Sequence, residues 1–166
     1  MKIKKVFQKG FTLVELLVVI SVIAILTSLV SISLASAQKQ ARDTTRKSDL
    51  SQYRSSLEMF ANRNNGLFPL YSTSTVASGS LCTSLGSSGT CPEDPKYAND
   101  NTYLQYQYQS DGSGVSGAAS ATEYVLWSKL ENVTTTYWVV CSTGQSGKIT
   151  STTVISGGAC PAGLTQ

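Results

Sequence analysis

The chain has 166 residues, a formal net charge of +3 and only 14% charged residues, which points to one domain, or one domain with an appendage, and excludes a second enzyme-sized domain. It has no histidine, and none of its 4 cysteines forms a Cys-x-x-Cys pair, so most zinc sites, Ser/His and Cys/His catalysis and histidine acid–base chemistry are excluded. Hydrophobic residues make up 41% of the chain but crowd near its start, leaving a remainder below the ~45–50% apolar share of an ordinary globular domain.

Lys2, Lys4, Lys5 and Lys9 precede Gly10 with no acidic residue among them, and under the positive-inside bias such a segment stays cytoplasmic. From Phe11 to Ala37 the one charged residue is Glu15. As a helix at ~1.5 Å per residue this stretch reaches about 40 Å, enough to cross a ~30 Å hydrocarbon core. The expectation is a membrane-spanning helix, with everything from about Gln38 onward outside the cytoplasm. A secretory signal cleaved at Ala35-Ser36-Ala37 is the alternative. No Lys or Arg lies between Phe11 and Gln38. Glu15 therefore either reaches water at the headgroup boundary or pairs with an α-amine released by cleavage before Phe11, on its own chain or a neighbour.

The run Lys9-Gly10-Phe11-Thr12-Leu13-Val14-Glu15-Leu16-Leu17-Val18-Val19-Ile20 resembles the class III signal peptide and N-terminal helix of type IV pilins and the pseudopilins of type II secretion. The resemblance implies cleavage between Gly10 and Phe11 by a prepilin peptidase and N-methylation of Phe11. It also implies that Glu15 serves assembly by pairing with the new α-amine of an adjacent subunit, since burying opposite charges together is tolerable and a subunit out of register leaves one unpaired. The partners implied are the chain itself as a helical homopolymer, the peptidase, an assembly platform with its motor ATPase, and the membrane before assembly. The sequence departs from the family at Ser31-Ile32-Ser33, near which members commonly carry a proline.

From Gln38 to Asn65 the helix continues in amphipathic form, with Leu50, Tyr53, Leu57, Phe60 and Ala61 at three- and four-residue spacing and Arg42, Asp43, Arg46, Lys47, Asp49, Arg54, Glu58 and Arg63 on the other faces. The cluster Lys39, Arg42, Arg46 and Lys47 is broken by Asp43 and Asp49, so it reads as a solvated face rather than a DNA- or lipid-binding patch. Asn64-Asn65-Gly66 ends the helix and Pro69 prevents its return. Asn65-Gly66-Leu67-Phe68-Pro69 and Pro92-Glu93-Asp94-Pro95 also resemble pilin and pseudopilin segments.

Ser72 to Thr90 is rich in Ser, Thr and Gly and reads as a mobile surface loop. Leu104 to Gln109 alternates, placing Leu104, Tyr106 and Tyr108 on one face against Leu57 and Phe60. Ser110 to Thr122 reads as a loop, and Glu123 to Leu130, Thr135 to Ser142 and Lys148 to Ile155 as strands. The expected fold is α+β: the type IV pilin fold, a long N-terminal helix, membrane-spanning in its first half and amphipathic in its second, on an antiparallel sheet of three or four strands. The expected organisation is a leader at 1–10, an apolar helix at 11–37, an amphipathic half at 38–66 and a head at 67–166.

Cys82, Cys91, Cys141 and Cys160 fall on the non-cytoplasmic side, where disulfides persist. Of three possible connectivities, Cys82–Cys91 with Cys141–Cys160 is preferred because each closes a local turn; four reduced thiols are the alternative. Asp94, Asp100 and Asp111 are too scattered for a calcium cage, and no metal or cofactor is expected. Asn132-Val133-Thr134 is a glycosylation sequon. Tyr97, Tyr103, Tyr106 and Tyr108 offer stacking for single-stranded nucleic acid, but alternation assigns half of them to the core.

The leading expectation is a non-enzymatic structural subunit of a pilus-like filament, a precursor in the cytoplasmic or inner membrane and extracellular once assembled. The rivals are a minor or tip pilin or pseudopilin serving adhesion, secretion or DNA uptake, and a membrane-anchored or secreted hydrolase. The last would depend on Glu93 and Asp94, the adjacent carboxylates between two prolines.

Overall fold

The computed structural model describes residues 10–86, 91–97, 105–133, 135–151 and 155–165, with the side chains of 29–33 excepted. Leu104, Tyr103, Asp100, Thr134 and the leader lysines lie outside these residues, as does part of the strand expected to run to Ile155. The chain divides into two compact units, Met1–Gln38 and Lys39–Gln166.

Helix α1, Leu13–Arg63, has 51 residues. In the first unit its apolar side chains from Leu13 to Leu26 are exposed, and its hydroxyls turn back on the helix: Ser21, Thr27 and Ser28 donate to carbonyls three or four residues earlier. Among the described residues no helix is long and apolar enough to cross a membrane. This corrects the membrane-spanning half and what was built on it: the transmembrane anchor, the precursor's place in the cytoplasmic membrane, and the extracellular filament polymerised through that helix.

In the second unit the amphipathic pattern is fulfilled by burial of Leu50, Tyr53, Leu57 and Ala61. The helix stops where Asn65 and Gly66 take positive φ, 56° and 82°, and Gly66 N–H returns to the Ala61 carbonyl at 2.8 Å.

Among the described residues seven antiparallel strands follow in two sheets, not one sheet of three or four. β1 (Phe68–Pro69) pairs with β4 (Ala119–Ala121). The larger sheet has the order β2-β3-β5-β6-β7: β2 Thr75–Val76, β3 Gln107–Ser110, β5 Tyr124–Lys129, β6 Tyr137–Cys141 and β7 Ser146–Ile149. The two stretches expected to be loops hold structure. Ser72 to Thr90 contains β2, a π-helical turn at Ala77–Leu81 and the short helix α2, Cys82–Ser84, and buries Ala77 and Leu81 completely. Ser110 to Thr122 contains β4.

Strand β5 is covered on both faces, and its alternation sorts two cores. Tyr124 and Leu126 join Leu50, Tyr53, Leu57, Tyr106 and Tyr108 on the α1 side. Val125 and Trp127 pack with Val139, Cys141 and Ile155 on the other. The C-terminal segment seals that outer face. Lys148 and Thr165 exchange backbone hydrogen bonds, and Gly158, at φ +76°, sits where a Cβ would come 2.2 Å from Asp111 N. The structure pairs Cys82 with Cys91 and Cys141 with Cys160; the second staples β6 to this segment across a sequence separation of 19, worth about 3 kcal/mol in the loop-entropy picture.

Candidate functional site

The N-terminal site is built from Gly10 to Glu15. Gly10, Phe11 and Thr12 precede the first helical residue, Leu13. Gly10 is open, with nothing within 4 Å of a Cβ placed there, and Phe11 is 90% exposed. The Gly10–Phe11 bond thus lies in accessible non-helical chain just ahead of the helix.

Thr12 and Glu15 close the helix start reciprocally. The Thr12 N–H and hydroxyl both donate to Glu15 Oε2, at 2.9 and 2.7 Å, while Thr12 Oγ1 accepts the Glu15 N–H at 3.2 Å. This is a capping box, Thr at the N-cap and Glu at the third helical position, which satisfies otherwise orphaned amides. The backbone hydrogen bond from Thr12, then its hydroxyl, holds the exposed Glu15 carboxyl below its ordinary pKa. Glu15, expected from the sequence to pair with a released α-amine, is also hydrogen-bonded to Thr12 within its own chain. The Thr-x-x-Glu spacing carries that capping signal in the sequence.

A second cluster, not anticipated from the sequence, fastens the head. Arg46 is fully buried. Its Nε and Nη2 donate to Asp94 at 2.6 and 2.9 Å, Nη1 to Asp43 at 2.9 Å, and Nη2 to Glu131 at 2.7 Å. Arg42 grips both Glu131 oxygens, at 2.8 and 2.7 Å, and Asp43 accepts the Glu131 and Asn132 N–H groups. Burial opposes charge on Arg46, but the hydrogen bonds it donates to Asp94, Glu131 and Asp43 outweigh that and raise its pKa. Hydrogen bonds from Arg42, then Arg46, hold the Glu131 carboxyl down to about 2. The cluster ties the Pro92–Pro95 segment and the β5–β6 turn to α1.

These contacts rearrange the sequence-derived candidates. Of the basic cluster expected to be a solvated face, Lys39 is exposed and Arg42 and Lys47 are half-buried, but Arg46 is buried together with Asp43 and Asp49, and Tyr106 donates its hydroxyl to Asp49. Glu93 is exposed while Asp94 is spent on Arg46, so the two do not converge as an acid–base pair. Asp111 accepts from Thr122 and Glu123. Tyr106 and Tyr108 are buried and offer no stacking surface. Among the described residues no group of three or more His, Cys, Asp or Glu side chains could hold a metal ion.

Residues 7–31 match the prokaryotic N-terminal methylation motif. No curated protein and no solved structure matches the chain. A prepilin-type N-terminal motif is therefore present, and a non-catalytic protein is consistent with it.

Proposed function

We propose that this chain is a prepilin-type protein allied to the type IV pilins and type II pseudopilins, cut between Gly10 and Phe11 by a prepilin peptidase and then N-methylated on Phe11. The observation that carries this reading is the methylation motif at residues 7–31. The local structure supports it physically. A peptidase needs extended, reachable backbone, and Gly10-Phe11-Thr12 is non-helical and exposed. The capping box begins at Thr12, so helix order starts one residue after the new terminus and the α-amine stays free of it for methyl transfer. The head is a non-catalytic module with two disulfides.

Mass spectrometry of the protein from cells that express a prepilin peptidase tests the reading. The expected mature chain begins at Phe11 and is one methyl group, about 14 Da, heavier than the unmodified sequence, with the mass confined to the N-terminal residue. A chain that retains Met1 to Gly10, or one cut elsewhere, contradicts it.

A further inference from the structure

A cleft of about 210 Å³ opens in the head between α1 and the sheet, lined by Lys47, Ser51 and Arg54 from the helix, Trp138 and Val140 from β6, and Ser146 from β7. Positions 47, 51 and 54 share one helix face by their spacing. Trp138 and Val140 share one face of β6, and Ser146 stands opposite Val140 in the ladder.

Both cations are held in place. Lys47 Nζ lies 4.3 Å from the centre of the Trp138 ring, and Arg54 Nη1 donates to the Gly144 carbonyl at 3.3 Å. Gly144 has φ +88°, and a Cβ there would approach Arg54 Nη2 to 3.2 Å, so the glycine turn leaves room for the guanidinium. Neither cation has a carboxylate partner among the described residues. The nearby acids are committed elsewhere, Asp43 to Arg46 and backbone N–H groups and Asp49 to Tyr106. Glu58, one turn beyond Arg54, is exposed and does not line the cleft.

The polar lining is thus an ammonium, a guanidinium, an indole N–H and two hydroxyls that can donate or accept. Two cations with no carboxylate in the lining suit an oxyanion, while the flank of Trp138 and Val140 suits the C–H face of a ring. The volume is below the ~300–1,000 Å³ of drug-sized clefts, which limits the occupant to one small unit. We propose that this cleft binds a single acidic saccharide unit, its carboxylate or phosphate held between Lys47 and Arg54 and its ring against Trp138 and Val140. The proposal concerns the head and is independent of how the N-terminus is processed.

The full chain is titrated at constant ionic strength with glucuronate, glucose 6-phosphate, glucose, inorganic phosphate and a short single-stranded oligonucleotide, binding being read by calorimetry and by Trp138 indole NMR shifts. Both acidic sugars are expected to bind and to shift Trp138, with Lys47→Gln and Arg54→Gln each weakening them about tenfold or more. Glucose and inorganic phosphate are expected to bind at least about tenfold more weakly than glucose 6-phosphate. Near-ultraviolet dichroism of the two variants is expected to match the parent. Absence of acidic-sugar binding, equal binding of glucose, equal binding of phosphate alone, tighter binding of the oligonucleotide, or indifference to both correctly folded variants would each overturn the proposal.

Discussion

Within α1 the two halves differ in the reach of their polar contacts: both return hydroxyls to carbonyls one turn back, but the second half adds long-range partners. Near its start, Glu15 is answered by Thr12, three residues away, and Thr27 by carbonyls three and four residues away. In the head, Arg46 reaches Asp94 and Glu131, 48 and 85 positions on, and Asp43 reaches the backbone of Glu131, 88 positions on. Local bonds of the first kind order a helix but do not bind it to a fold; the second kind couples α1 to two distant turns at once. One unbroken helix therefore carries a self-contained end and a tertiary end, and the proposed processing site lies at the self-contained one.

The largest effect expected from breaking this contrast comes at Arg46. Replacing it with leucine leaves Asp94, Glu131 and Asp43 buried without their shared cation, at a cost of about 3–5 kcal/mol. Chemical denaturation of Arg46→Leu is expected to show this loss, and Arg46→Lys, which keeps the charge but not the fork, to recover only part of it. A change at Thr12 should leave head stability untouched by the same measurement.

A smaller, graded effect is expected with acid. The Glu131 carboxyl is depressed from 4.5 to about 2 in the folded state. Its contribution is therefore fully present above the unfolded pKa near 4.5 and is lost as pH falls toward about 2. Asp49 works against this trend: burial raises its pKa, so its protonation on acidification favours the fold. The thermal midpoint is expected to decline below pH ~4.5, and Glu131→Gln to flatten that decline from a lower starting stability. An unchanged acid slope in the variant would show that Glu131 does not carry the dependence.

The contrast also explains what the sequence could reveal. Period and punctuation are local, so Leu50, Tyr53, Leu57 and Ala61 could be assigned to a buried face, Tyr106 and Tyr108 to one side of a strand, and Asn65-Gly66 to a helix stop before any coordinates. The local disulfide pairing was legible for the same reason. The ionic knot was not: its members sit on the polar positions of the helix, in a proline-flanked turn and in a hairpin turn, and only the fold brings them together. β1, β2 and β4 have 2, 2 and 3 residues, too short to print an alternation on Ser- and Gly-rich sequence. At the N-terminal site the processing residues are visible as a motif, whereas Glu15's capping role follows from ordinary helix-end chemistry hidden inside that motif.

Amide hydrogen exchange along α1 in the full chain tests the contrast most directly. The account predicts strong protection from Arg46 to Ala61, near that of the head's central strands, and protection several-fold lower from Glu15 to Ser28, where each described side-chain hydrogen bond stays within four residues. Equal protection in the two segments, or a drop across both when Arg46 is replaced, would contradict it.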